Sequence, residues 1–134
     1  MLKKCSFHHI GYAVSNVPEV ADYYVNAGWK MSEMYKDTIQ QTTIVLLFRE
    51  GFPLIELVEP VNEKSPVSEI IKKNGNAPYH CCYEVEDMEE SVSELRKQKF
   101  VLLFKPVEAI AFNNRKIAYL YNRSVGLIEL LSKK

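Results

Sequence analysis

The second half of the chain repeats the first half at a shift of 71 residues (80 − 9 = 71). Strand residues, helix caps and core residues all take part in the match, which pairs His9 with His80, Tyr12 with Tyr83, Val14 with Val85, Asn16 with Asp87, Glu19 with Glu90 and Trp29 with Phe100. This agreement constrains the fold more than any single motif, because polar, capping and apolar positions align together. The sequence therefore predicts two copies of one supersecondary unit.

The ends of the two copies also match, with a slip of two residues. "LIELVEP" begins at Leu54 and "LIELLSK" begins at Leu127, so that Glu56 falls on Glu129. The separation from histidine to glutamate is 56 − 9 = 47 residues in the first copy and 129 − 80 = 49 in the second. Each copy is therefore expected to carry one histidine and one glutamate at equivalent places.

The first copy has the pattern of one helix and four strands. The helix is predicted to be capped by Ser15 or Asn16, to hold Pro18 in its first turn and to end at Gly28. Alternating or continuous apolar runs predict the strands, which are Phe7–Val14, Trp29–Tyr35, Thr42–Arg49 and Pro53–Val58. The order is strand, helix and then three strands.

The second copy has the same order. Asp87 and Glu90 form a capping-box pair for a helix that ends near Lys99. The strands are predicted at Tyr79–Val85, Phe100–Phe104, Arg115–Tyr121 and Gly126–Leu131. We thus predict an α+β fold of two tandem βαβββ modules.

The module boundaries follow from composition. The length of 134 residues suits a single domain, 1–134. The first module is predicted to span 5–59 and the second 79–133. Residues 60–78 are rich in Pro, Asn, Ser and Gly and read as a connector with a short helix opened by Ser65 and Pro66.

Charge and cysteine content narrow the class of protein. Seventeen basic residues balance 17 acidic ones, so no net field favours nucleic acid or a membrane surface. The longest apolar runs are too short to cross a bilayer, and no signal peptide is visible. Three cysteines, two of them adjacent, make a poor disulfide framework. These features predict a cytoplasmic protein and favour neither a nucleic acid nor a membrane as its partner.

The repeated histidines and glutamates are candidate metal ligands. A carboxylate inside an apolar strand is costly to bury unless it is paired or binds a metal, and both Glu56 and Glu129 interrupt apolar strands. If the two modules pack edge to edge, these glutamates can meet His9 and His80 in one cavity. Two imidazoles and two carboxylates suit a borderline divalent ion with open positions for substrate. Taken singly, each residue could instead be an ordinary strand histidine or an edge-strand glutamate.

These motifs resemble the vicinal-oxygen-chelate superfamily, which includes glyoxalase I, methylmalonyl-CoA epimerase, extradiol dioxygenases and antibiotic-resistance proteins. The resemblance rests on "HHIGYAV", "LIELVEP", "SPVSEIIKKNG", "YHCCYEVED" and "GLIELL" and covers nearly the whole chain. It implies paired βαβββ modules that form a cupped mixed sheet around a metal cleft. By position, the family's metal ligands fall on His9, Glu56, His80 and Glu129.

The resemblance also implies the chemistry. Our first hypothesis is a glyoxalase I-type lyase that isomerises the hemithioacetal of a 2-oxoaldehyde and a thiol through an enediolate. The metal would be Ni, Co, Zn, Mn or Fe. Glu129 is the preferred catalytic base, and Glu56 is the symmetric second candidate. Arg49, Arg115 and Arg123 are candidates for binding the substrate's carboxylates.

Two alternatives stay open. One is an epimerase that acts on an acyl-CoA thioester of the methylmalonyl-CoA type, and the other is a non-catalytic binding protein for an antibiotic or metabolite. Epimerases usually carry a further acid–base glutamate after the first helix, whereas this chain has Gln40 and Gln41 in the matching segment. An extradiol dioxygenase is disfavoured, because such enzymes generally use two histidines and one carboxylate. Members of the family commonly dimerise, so the resemblance allows a homodimer, while a cleft within a single subunit stays an open alternative.

Overall fold

The structure is a computed structural model that describes all residues from 1 to 134. It is a mixed α+β fold with ten strands, three α-helices and a 3₁₀ turn at Ile110–Phe112. The strands are β1 Ser6–Ala13, β2 Lys30–Met31, β3 Tyr35–Asp37, β4 Thr42–Phe48, β5 Leu54–Pro60, β6 Ala77–Val85, β7 Val101–Leu102, β8 Val107–Ala109, β9 Arg115–Asn122 and β10 Gly126–Ser132. The helices are α1 Val17–Asn26, α2 Pro66–Asn74 and α3 Met88–Lys97. The predicted α+β class is confirmed.

The chain packs into two compact units. The first unit comprises His9–Tyr79, and the second comprises Met1–His8 with His80–Lys134. The predicted modules 5–59 and 79–133, and the cupped cleft between them, stay predictions.

In the first unit the strands follow the order β2-β4-β5-β1, with β3 also paired to β4. Strand β1 runs parallel to β5, and the other pairs are antiparallel. Helix α1 covers one face of this sheet, where buried apolar side chains form a core that includes Val17, Leu47 and Leu57. The opposite face of the sheet is the one on which Glu56 lies, because side chains alternate along β5.

The second unit repeats this plan. Its strands follow the order β6-β10-β9-β7, with β8 paired to β9, and β6 is parallel to β10. Helix α3 packs against a core that includes Leu95, Leu120 and Leu130. Because Leu130 faces the helix, its neighbour Glu129 faces the other side of the sheet.

The helix boundaries are built alike in both units. The side chain of Asn16 accepts a hydrogen bond from the backbone N–H of Glu19 at 2.9 Å, and Asp87 accepts one from Glu90 at 2.9 Å. Each cap satisfies a backbone donor that the first helical turn leaves without a partner. Of the two predicted candidates for the first cap, Ser15 and Asn16, the structure uses Asn16, and the predicted cap at Asp87 is confirmed.

Two predicted strands differ from the observed ones. The strand expected at Trp29–Tyr35 is divided into β2 and β3. It begins later than expected because the backbone N–H of Trp29 donates a hydrogen bond to the carbonyl of Tyr24 at 3.0 Å and so still belongs to the end of α1. The side chain of Ser32 also accepts a hydrogen bond from the backbone N–H of Leu46 at 2.9 Å, where a strand partner would otherwise lie. In the second unit β7 ends at Leu102, and the short strand β8 was not anticipated. No helix of the chain is both long enough and apolar enough to cross a membrane.

Candidate functional site

The first unit brings His9 and Glu56 together. They lie on the neighbouring parallel strands β1 and β5, where Gly11 is the partner of Glu56. The Nε2 atom of His9 lies 3.3 Å from Oε1 of Glu56, and the two side chains are 0% and 3% exposed. A nitrogen and an oxygen ligand atom thus lie side by side within a buried setting.

The second unit brings His80 and Glu129 together in the same way. They lie on the parallel strands β6 and β10, where Cys82 is the partner of Glu129. The Nε2 atom of His80 lies 3.8 Å from Oε2 of Glu129, and the side chains are 0% and 2% exposed. Gly11 and Cys82 are themselves equivalent in the repeat (11 + 71 = 82), so the register of both pairs is the same.

The surroundings of the two pairs differ. Tyr119 on β9 is the partner of Glu129, and its ring meets the His80 ring edge to face at 5.2 Å. Phe104 extends this aromatic group, with its ring centroid 5.9 Å from that of Tyr119. In the first unit the residue opposite Glu56 is Leu46, which is 8% exposed. The second pair therefore has an aromatic wall that includes the phenol of Tyr119.

The donor atoms of each pair fit a divalent metal. A buried carboxylate needs compensation for its lost hydration, which an adjacent cation provides. Each residue of the pairs offers one ligand atom, a ring nitrogen or a carboxylate oxygen. Neutral imidazole and carboxylate are suitable ligands for Zn, Mn, Fe, Co and Ni. A site for these ions does not need a thiolate ligand. The pairs are thus chemically competent for the predicted cofactor.

The three predicted substrate-binding arginines lie in different settings. Arg115 is half-buried and donates to Oε2 of Glu84 at 2.7 Å and to the backbone carbonyl of Phe112 at 3.3 Å. Arg49 donates to the carbonyl of Ala27 at 3.1 Å, and Arg123 lies exposed in the turn between β9 and β10. Their role in substrate binding stays a prediction.

One buried acid was not assigned a role from the sequence. Asp37 is 3% exposed and lies at the end of β3, opposite Thr42. Its two carboxylate oxygens accept hydrogen bonds from the backbone N–H and the side-chain amide of Gln40, each at 2.9 Å. Asp37 therefore fixes the β3–β4 turn. The Asp-x-x-Gln spacing is the only local signal that could have suggested this.

Tyr119 and Phe104 were also not singled out from the sequence. Each is an aromatic residue in a strand-like segment, a pattern that indicates core packing as often as a site. Whether Tyr119 and Phe104 lie near His80 depends on the register of β9 against β10 and on the path of the chain after β7. Sequence periodicity carries no information on either.

The comparison with known families decides the superfamily. The profile of the Glyoxalase/Bleomycin resistance protein/Dioxygenase superfamily matches residues 8–119. The chain belongs to this superfamily. Its enzymes use divalent metal ions, which agrees with the His–Glu pair in each unit. The predicted superfamily and the predicted metal cofactor are confirmed.

Among curated proteins, the chain is similar to the mitochondrial methylmalonyl-CoA epimerase of Dictyostelium discoideum. The two are 30% identical over 130 residues, which is 94% of this chain and 77% of the relative. The human mitochondrial methylmalonyl-CoA epimerase is 27% identical and is covered to 71%, with 92% of this chain aligned. These relatives confirm the prediction of an enzyme.

Solved structures agree on the fold. A hypothetical protein from Bacillus halodurans superimposes with a TM-score of 0.87 and 30% identity, covering 98% of this chain and 96% of that one. The methylmalonyl-CoA epimerase of Mycobacterium tuberculosis gives a TM-score of 0.86 at 22% identity, covering 100% of this chain and 93% of that one. At that identity the likeness shows the fold alone.

Proposed function

We propose that this protein is a metal-dependent epimerase that acts on an acyl-CoA thioester of the methylmalonyl-CoA type. The observation that carries the proposal is the 30% identity, over 94% of the chain, to a methylmalonyl-CoA epimerase. The buried His–Glu pair of each unit supplies the chemistry such a reaction needs. The glyoxalase I reaction, our first hypothesis from the sequence, has no support among the relatives beyond the shared superfamily.

We further propose that His9, Glu56, His80 and Glu129 together hold one divalent ion. Two features support this arrangement. Each pair offers one nitrogen and one oxygen, and the two pairs have the same strand register, as expected of two halves of one site. Bound there, the ion would act as a Lewis acid toward the substrate's carbonyl oxygen, where negative charge develops.

The protein's own residues move the proton. The substrate carbon between its two carbonyl groups loses its hydrogen as a proton to a carboxylate oxygen, and the electron pair of the broken bond moves into a planar enolate. We assign this base to Glu129, whose position beside Tyr119 and His80 differs most from a plain apolar strand. Burial keeps water away from the enolate.

Epimerisation also requires a proton donor on the opposite face of the enolate. Glu56 is the remaining buried carboxylate with a histidine neighbour and is assigned that role. Gln40 is excluded as the proton donor because an amide neither gains nor loses a proton at neutral pH. Asp37 is excluded because both of its carboxylate oxygens accept hydrogen bonds within the β3–β4 turn. The reaction then returns one proton to carbon for each proton removed.

A pair of parallel assays tests the proposal. Protein loaded with Co(II) or Ni(II) is incubated with methylmalonyl-CoA in deuterium oxide, and isotope incorporation at the acidic carbon is followed by NMR. The same preparation is given methylglyoxal with glutathione. We expect isotope exchange with the thioester and no lyase activity. Lyase activity without isotope exchange would restore the glyoxalase hypothesis. The absence of activity in both assays would favour a binding protein.

Metal stoichiometry tests the assignment of the ligands. The wild-type chain is expected to bind about one ion, since four ligands make one site. His80→Ala and His9→Ala should each lower the occupancy, although they lie in different units. Two ions per chain, or unchanged occupancy in both variants, would contradict a single shared ion. The same proposal includes an acyl-CoA thioester as the substrate, a homodimer as the oligomeric state and the cytoplasm as the location.

A further inference from the structure

A groove runs along helix α3 on the side of the second unit's sheet opposite Glu129. Its volume is about 560 Å³, within the range of small-molecule sites. The lining comes from α3, from β7 and from the segment that follows β7, and consists of Met88, Glu89, Val92, Ser93, Arg96, Lys97, Leu102 and Pro106. Neither the metal chemistry nor the proposed proton transfer uses this groove.

The floor of the groove is apolar. Val92 is 9% exposed and belongs to the core of the second unit, and Met88 and Leu102 pack against that core from the side. Pro106 adds a further apolar side chain to the lining. An apolar floor suits the ring of a nucleotide base, which can bury its faces against Val92 and Leu102.

The rim of the groove is polar and has opposite charges at its two ends. Glu89, Ser93 and Arg96 are spaced four and three residues apart, so they follow one side of α3. Arg96 follows Glu89 by seven positions (96 − 89 = 7), or about 10 Å along the helix at about 1.5 Å per residue. Lys97 adds a second cation at the Arg96 end, and both cations are exposed.

This polarity matches a phosphorylated nucleotide. An exocyclic amine of a base donates hydrogen bonds, which the Glu89 carboxylate can accept, while phosphate oxygens are bound best by arginine and lysine. The cations lie in the last turn of the helix, where the unfavourable helix dipole would otherwise repel an anion. The attraction for a phosphate at this end of the helix therefore comes from the side chains of Arg96 and Lys97 and not from the helix dipole.

Residues 102–106 contact both the groove and the aromatic group beside His80. Leu102 and Pro106 line the groove, and Phe104, which lies between them in sequence, packs on Tyr119. Tyr119 in turn contacts the ring of His80. Strand β7 is the last strand in the order of this unit, so a long flexible ligand can pass around it from one face to the other.

The first unit lacks the equivalent charges. Helix α1, the counterpart of α3, has no basic residue in its last turn, whereas α3 ends in Arg96 and Lys97. The two copies thus share their caps and cores but differ in this feature. A difference confined to one copy is expected where only one end of an asymmetric substrate is bound.

We propose that the groove along α3 binds the phosphorylated nucleotide end of the acyl-CoA substrate. The inference rests on the proposed function, since only a CoA thioester joins a nucleotide to a reacting acyl group through a long arm. The adenine ring lies on the floor formed by Val92 and Leu102, and the phosphates lie at Arg96 and Lys97.

Calorimetric titration of the full-length protein with free CoA tests the inference. The double variant Arg96→Ala/Lys97→Ala should bind CoA at least about tenfold more weakly, because two charge-assisted contacts are lost. The matched control is Lys72→Ala/Lys73→Ala, which removes two exposed lysines from the last turn of α2. We expect the control to bind CoA as the wild type does.

Comparison with a truncated substrate separates this inference from the proposed function. Methylmalonyl-pantetheine lacks the nucleotide, so its turnover should be the same in the wild type and in the double variant, while KM for methylmalonyl-CoA rises only in the double variant. If the wild type turns over neither thioester, the proposed function fails, and the CoA titration still reports on the groove. Equal CoA affinity in the wild type and the double variant would overturn the inference.

Discussion

The two units of this protein keep the same buried pair and differ in what surrounds it. His9 and Glu56 lie 3.3 Å apart in the first unit, and His80 and Glu129 lie 3.8 Å apart in the second. Leu46 is opposite the first glutamate, whereas Tyr119 is opposite the second. The pair is thus held constant while its neighbours change.

This difference indicates how a duplicated fold handles an asymmetric substrate. Under the proposed function one metal takes equivalent ligands from both copies, so the same ligand types are needed in each copy. The proposed thioester substrate has two unlike ends, and under the proposed function each copy meets one of them. The aromatic wall of Tyr119 and Phe104 and the cations at the end of α3 occur in the second unit. That unit is therefore expected to hold the CoA end.

The largest expected effect concerns the two glutamates. Glu129→Gln should lower the rate of isotope exchange by roughly 10²–10⁴-fold, the usual contribution of a general base. Glu56→Gln should keep exchange of the α-hydrogen and lose mainly inversion, because one base suffices for exchange. Both variants retain an oxygen ligand, so metal content serves as the control. Equal loss of exchange in both would remove the distinction between the two units.

The cores of the two units should contribute alike to stability. Leu57 and Leu130 each follow a glutamate of the pairs, and both are 0% exposed. Leu57→Ala and Leu130→Ala are each expected to lower the free energy of unfolding by about 2–5 kcal/mol, through lost burial and a residual cavity. Urea denaturation followed by circular dichroism measures both. A large cost in only one unit would show that the cores are not equivalent.

A smaller effect is expected where the two helices end. Gly28 and Lys99 are equivalent residues (28 + 71 = 99), and both have positive φ, +93° and +68°. Glycine adopts this conformation without strain, but lysine does not. Lys99→Gly should therefore raise the free energy of unfolding by about 1 kcal/mol.

The reverse change serves as the comparison for Lys99→Gly. A Cβ atom at Gly28 would meet nothing within 4 Å, so Gly28→Ala tests backbone strain alone. It should lower the free energy of unfolding, again by about 1 kcal/mol. Thermal unfolding of the two variants side by side measures both effects. Destabilisation by Lys99→Gly would contradict this account of the helix ends.

The smallest effect concerns one tyrosine in each unit. Burial raises the pKa of Tyr83 above 10.0, with the thiols of Cys81, Cys5 and Cys82 adding to the shift. Burial also raises the pKa of Tyr24, and its neighbour Tyr12 adds to this. Because the folded-state pKa is the higher one, the stability that each phenol contributes is present below pH 10 and is lost as pH rises further.

Ultraviolet titration of Tyr24→Phe and Tyr83→Phe tests whether these two phenols titrate late. Each variant should lose one of them, and its free energy of unfolding should fall less steeply with pH above 10 than that of the wild type. A titration curve that neither substitution changes would contradict the assignment. The comparison also shows whether the two units respond equally to alkaline pH.

Much of the fold could be predicted because its signals are local. The caps at Asn16 and Asp87 and the glycine at the end of α1 act within one helical turn, so a few residues suffice to identify them. The repeat then located the histidine and the glutamate of each copy. Strand boundaries were less accurate where a side chain such as Ser32 replaces the ladder hydrogen bond. Such contacts join residues far apart in sequence.

By itself, the sequence determined the duplication, the order of elements and the residue types of the candidate metal ligands. Only the tertiary structure decided that Tyr119 lies against His80, that Asp37 is used to fix a turn, and that α3 and β7 enclose a groove. The physical reason is the range of the interactions. Periodicity and capping depend on neighbours along the chain, whereas strand register and the space between elements depend on packing across it.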